Sequence, residues 1–175
     1  DESIIDYYRN FASLRMTLSP YIYRESLHAA QASLPLTLPL FLIEKDNDPE
    51  GLAYLFGRDM VVSPAVDEEM KERRVFLPEG QWVNLWNGRT HSEQIVIEGD
   101  RTEVFLRKGA LIPLSIPPEG TLFGTNWSQE ETGLLFVGSE FPENLEVLPS
   151  SPARRLARIS GVESGIIKIE WREIE

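Results

Sequence analysis

The chain has 175 residues, with 28 acidic and 17 basic side chains, a formal net charge of −11, 42% hydrophobic residues and no cysteine. That length holds one domain or a little more. The charge repels polyanions and anionic bilayers, arguing against nucleic acid and membrane surfaces as partners, and the missing cysteines exclude disulfides and thiolate metal sites.

No apolar run is long enough for a membrane-spanning helix, and the acidic start Asp1-Glu2-Ser3 does not read as a signal peptide. A cysteine-free chain without either feature is expected in the cytoplasm. Residues 3–32 read as helix, because Tyr7, Phe11, Leu14 and Leu18 recur at spacings of three and four. Ser3, with Asp6 three residues on, looks like a capping signal. Pro20 interrupts the pattern: either the helix kinks there, or Ser19 caps a second helix with Pro20 in its first turn. Residues 36–43 lie in the nearly unbroken apolar run L-P-L-T-L-P-L-F-L-I, expected to be a strand covered on both faces as in a parallel sheet, although Pro35 and Pro39 weaken it.

A polar loop, E-K-D-N-D-P-E-G, fills 44–51. Short strands are then expected over 53–56, 60–66, 73–77, 81–86, 94–98, 103–107 and 110–114, with turns at Gly57, Pro64, Pro78-Glu79-Gly80, Asn87-Gly88 and Gly99-Asp100. Strands at this spacing imply a sandwich or barrel. A looser connector follows over 115–133, then further strands over 134–138, 145–148, 154–159 and 166–171.

Six pieces of sequence fall in a telling order. They are Leu14-Arg15 with Pro20-Tyr21-Ile22-Tyr23; Pro39-Leu40; Asp46-Asn47-Asp48-Pro49; Tyr54 to Asp59 with Val61-Val62-Ser63-Pro64; Leu77-Pro78-Glu79-Gly80-Gln81-Trp82 with Trp86 and Gly88; and Val104 to Pro113. Together they resemble the C-terminal region of the α-glycosidases of glycoside hydrolase family 31, including α-glucosidase- and α-xylosidase-like enzymes. Two positions depart from that pattern: Leu38 stands where arginine is usual, and Glu44-Lys45 replace a phenylalanine-proline pair.

The resemblance implies a mostly β chain: a β-sandwich preceded by the last helix and strand of a (β/α)₈ barrel, and followed by further β-strands. Residues 1–45 would be the barrel's terminal helix and strand, 52–115 the proximal sandwich, and 116–175 continuation strands that could join a distal β-domain. It implies the non-catalytic end of a retaining α-glycosidase that hydrolyses O-glycosyl bonds. Its partner would be the upstream catalytic barrel of the same protein, acting on an oligosaccharide. No cofactor is implied. Retention needs two carboxyl groups about 5–5.5 Å apart. The family's W-x-D-x-N-E nucleophile motif and its acid/base aspartate are not found in this chain, so no catalytic residue is assigned.

Substitutes for that chemistry have ordinary explanations. Asp46 and Asp48 could pair or hold a cation, yet turn residues commonly cap their own backbone. Glu68-Glu69 form a charged link. His28 and His91 lie in elements of different type without a third ligand, so no metal site is assigned. Ser63, Ser115 and Ser139 lack a nucleophile elbow. Trp82 and Trp86 are the binding candidates: with residue 84 they would share one face of a strand, where indole rings can stack on sugars, although sandwich cores also take large aromatics. Arg15 could form an ion pair between barrel and sandwich, or lie on the surface. The apolar helix and strand over 3–43 would leave a bare hydrophobic face, through which the chain could also self-associate or stand as an interaction module.

Overall fold

A computed structural model describes residues 2–43, 51–66, 72–99, 101–117, 131–142, 155–163 and 166–174. The expectations for Asp46, Asp48, the Glu44-Lys45 departure, Glu68-Glu69 and a strand over 145–148 lie outside the described residues.

Two helices open the chain, α1 over Glu2–Thr17 and α2 over Ser19–Ala32. Pro20 has no N–H, so one rung of the ladder is missing. Its surroundings stay helical: the Leu18 N–H donates to Leu14 O at 3.0 Å and the Ile22 N–H to Leu18 O at 2.9 Å. Ser19 starts the second helix with Pro20 in its first turn, and its hydroxyl donates back to Arg15 O at 3.4 Å. At the far end of α2, the Leu34 N–H donates to Ala29 O at 2.9 Å and the Ser33 N–H to Ala30 O at 3.3 Å, the six-to-one and five-to-two pair of a Schellman cap. Ser33 therefore sits at φ 54°, a position that ordinarily falls to glycine.

The chain forms two compact units. One comprises Glu25–Ala110 and Ser160–Lys168. Its main sheet has six strands in the order β1-β2-β3-β8-β5-β6. These are β1 Thr37–Pro39, β2 Tyr54–Phe56, β3 Met60–Ser63, β5 Trp82–Asn84, β6 Thr90–His91 and β8 Glu103–Arg107. A second sheet pairs β4, Glu72–Phe76, with β7, Gln94–Glu98. The ladders among these eight strands are antiparallel. Val75 and Ile97 of the small sheet cluster with Val61, Trp82 and Phe105 of the large one, closed by Leu40, Ala53 and Leu77. Two sheets sharing one apolar core make the expected sandwich.

The strand expected over 36–43 is corrected. Only Thr37–Pro39 is extended, and it pairs antiparallel with β2 at the edge of the six-stranded sheet, not within a parallel sheet. Pro39 cannot donate to a ladder, which suits an edge. Leu40–Leu42 then turn into a 3₁₀ helix.

The other unit comprises Asp1–Arg24, Leu111–Ile159 and Ile169–Glu175. Here β9, Leu111–Ile116, pairs antiparallel with β10, Glu131–Phe136, and β10 pairs in parallel with β11, Arg155–Glu163. The hairpin strand β12, Ile166–Glu173, completes a four-stranded sheet. Ile112, Leu114, Ile116, Leu134, Leu135 and Leu156 are buried. α1 packs on β9, and the Arg24 Nη1 donates to Leu111 O at 2.8 Å. Strand β10 begins inside the stretch expected to be connector. Gly133 permits this, because a Cβ there would lie 2.2 Å from Ile116 Cδ1.

One ion pair ties α2 to the sandwich. Glu25, only 1% exposed, accepts from Arg58 Nε at 2.9 Å, Arg58 Nη2 at 3.1 Å and the Arg58 backbone N–H at 3.1 Å. Arg58 lies in the turn between β2 and β3, where Gly57 adopts φ 64°. The same turn is held from β8, since Arg107 donates through Nε to Arg58 O at 3.1 Å and through its backbone N–H to Asp59 O at 2.8 Å.

Two stability changes are expected. Ser33→Gly relieves a left-handed strain of about 1–2 kcal/mol against the extra chain entropy of glycine, about 0.5–1 kcal/mol, so urea unfolding should show a net gain of about 0.5–1 kcal/mol. Arg58→Ala removes both guanidinium hydrogen bonds from a buried carboxylate. Because the Arg58 side chain is itself 58% exposed, the loss should fall near the low end of the range for such breaks, about 2–3 kcal/mol. Adding Glu25→Gln to that variant should recover part of the loss.

Candidate functional site

Trp82 and Trp86 do not form a surface platform. Trp82 is 0% exposed. Its indole N–H donates to Pro78 O at 2.7 Å, and the Arg107 guanidinium lies 4.3 Å from the ring centroid. The sharing of one strand face by 82, 84 and 86 is corrected as well, because β5 ends at Asn84. The Asn84 Oδ1 accepts from the backbone N–H groups of Trp86 at 2.8 Å and Asn87 at 3.1 Å, an Asx turn that bends the chain out of the ladder. Trp86 is half-buried in that turn. Its indole N–H donates to Thr102 O at 2.9 Å, and the Arg101 guanidinium lies 4.6 Å from the ring centroid. Both indoles thus act as bolts: an apolar body fills the sandwich and the N–H fixes a loop carbonyl.

The polar residues that organise this region escaped sequence reasoning. Asn84, 4% exposed, also donates through Nδ2 to Glu103 Oε2 at 2.6 Å. Arg73 on β4 reaches Ser63 Oγ at 2.8 Å, Ser63 O at 3.2 Å, Gly99 O at 2.9 Å and Arg101 O at 2.5 Å. Desolvation lowers the Arg73 pKa and the Glu103 carboxylate opposes it; the guanidinium remains charged. Ser63, which reads as a lone serine in sequence, accepts this bond in a buried setting. The one available signal was an arginine recurring within an apolar strand pattern.

The remaining candidates are scattered. His28 is exposed on α2, and His91 on β6 meets Phe105 edge-on at 5.8 Å. Arg15 is exposed. Among the described residues, no group of three His, Asp or Glu side chains could hold a metal. A cleft of about 310 Å³ lies beside the end of α2, walled by Ala29, Leu34, Leu36, Leu38 and Leu55. Leu38, the departure from arginine, contributes to its apolar wall. Glu25 borders the cleft with its carboxylate already bound by Arg58. The cleft accepts an apolar group and offers no carboxyl pair.

Burial raises the pKa of the Tyr54 phenol on β2. The folded state therefore keeps its proton to higher pH than the unfolded state does. The stability from this group is complete below the ordinary tyrosine value of about 10 and is lost as pH rises through the folded value. Urea unfolding above that pH should show a steeper alkaline decline for the native chain than for Tyr54→Phe.

The glycosyl hydrolase family 31 C-terminal domain matches residues 33–112. An isomaltosyltransferase of Sporosarcina globispora is 29% identical over 134 residues, covering 71% of this chain and 12% of the relative. A sulfoquinovosidase of Agrobacterium fabrum is 35% identical over 97 residues, covering 53% of this chain and 14% of the relative. The chain thus spans about one eighth of the length of these curated relatives. Among solved structures, a cycloalternan-forming enzyme from Listeria monocytogenes in complex with pentasaccharide substrate has the same fold, with a TM-score of 0.68 over 100% of this chain and 16% of that one at 24% identity. The antiparallel sandwich and these matches agree: residues 33–112 are similar to the C-terminal domain of glycosyl hydrolase family 31.

Proposed function

We propose that the chain is the non-catalytic C-terminal portion of a retaining α-glycosidase, supporting an upstream catalytic barrel that cleaves O-glycosyl bonds in oligosaccharides. One observation carries this reading beyond the family match. Residues 4–10 of α1 are exposed along every face of the helix, with Ile4, Ile5, Tyr7 and Tyr8 between 52% and 75% exposed. These four residues share one side of α1, opposite Asp6, Arg9 and Asn10, and a bare apolar stripe of this kind calls for a covering surface. Tyr23 on α2 is exposed too. A barrel wall fits this surface, because it would cover that apolar side of α1. Because β1 pairs with β2, this reading assigns residues 37–110 to the sandwich and leaves α1 and α2 as the barrel's share.

Substrate identity would then be set by the catalytic barrel, and a cytoplasmic setting belongs to the same proposal. Apart from the barrel, the bare face would pair with a second copy of the chain. A standalone carbohydrate-binding sandwich has less support, since Trp82 exposes no ring face.

The pure chain should release no nitrophenol from nitrophenyl α-glucoside or nitrophenyl α-xyloside at any concentration. Turnover by the isolated chain would overturn the proposal. In sedimentation the chain should associate reversibly, and Tyr8→Glu should shift it towards monomer. A clean monomer for the native chain would remove the argument from the bare face.

A further inference from the structure

The single Asn-Gly step of the sequence, Asn87-Gly88, closes the turn between β5 and β6. We propose that Asn87 is a site of spontaneous deamidation, gated by this turn. The step combines an amide side chain with a following residue that has no side chain to obstruct attack. The Gly88 backbone nitrogen, after losing its proton to solvent base, attacks Asn87 Cγ. A C–N bond forms, the Cγ–Nδ2 bond breaks and ammonia leaves, giving a five-membered succinimide. Water then opens either carbonyl, leaving aspartate or isoaspartate. Water is the only co-reactant, and no electron is transferred.

The geometry supplies both an opportunity and a restraint. Asn87 is exposed, so water and base reach it. Its Oδ1 accepts the Arg89 backbone N–H at 2.9 Å, which polarises the amide towards attack. Against this, the Gly88 N–H donates to Asn84 O at 2.9 Å, which withholds the nucleophile. Gly88 is further held at φ 69°. The reaction therefore runs from states in which the turn has opened, and local opening sets its rate. The product matters to the fold. Isoaspartate inserts the side-chain methylene into the backbone between Asn84 and Arg89. That span is closed by the Asn84 N–H donating to Arg89 O at 2.8 Å, and it sets the Trp82–His91 and Val83–Thr90 pairing.

The test incubates the whole chain at mildly alkaline pH, folded in buffer and unfolded in urea. Peptide mapping by mass spectrometry and enzymatic isoaspartate methylation follow the product. Isoaspartate should accumulate at residue 87 in both samples, several-fold more slowly in the folded one, and Asn87→Gln should remove it. Equal rates would overturn the gate, and a folded chain that never reacts would overturn the site. The isoaspartate form, purified by ion exchange, should unfold at lower urea than Asn87→Asp, which adds the charge without the methylene. Equal midpoints would overturn the effect on pairing.

Discussion

A carboxylate removed from water must find its charge partner inside the protein or cost several kcal/mol. For Glu25, Arg58 supplies three donors. The bidentate side-chain contact fixes orientation as well as distance. Because Glu25 is on α2 and Arg58 in the β2–β3 turn, this requirement sets where the helix meets the six-stranded sheet. Arg107 holds the same turn from β8 while covering Trp82, so the constraint passes without a gap from helix to turn to the tryptophan of the core.

The sandwich repeats this device at its other loops. A charged or amide side chain reaches across and occupies loop carbonyls that would otherwise lack partners. Arg73 does so for three backbone oxygens, Asn84 organises the β5–β6 turn, and the two indole N–H groups fix Pro78 and Thr102. Such a scaffold suits a supporting role. These polar groups are spent on internal bonds.

The strands were legible where the apolar pattern was strong. Residues 94–98 and 103–107 form strands with the expected bounds, and 54–56, 60–63, 72–76 and 111–116 differ by a few residues at their ends. Misreadings share a cause. Asn84 ended a strand that alternation alone would have carried to Trp86, because its side chain competes for backbone donors. Residues 36–43 looked like a doubly covered strand because an apolar run carries no information about which neighbour pairs with it. The two-residue β6 carries too little pattern to be seen.

The sequence by itself determined the resemblance to the family, the mostly β character, an interruption of the helix near Pro20 and the absence of the family's catalytic motifs, since these rest on local residue order and composition. Only the tertiary structure decided that Trp82 is sealed in the core, that Glu25 pairs with Arg58 across 33 positions, and that Thr37–Pro39 joins the sandwich. Each of these depends on which distant segments come together, and periodicity along one chain does not encode the partner on the other side of a contact.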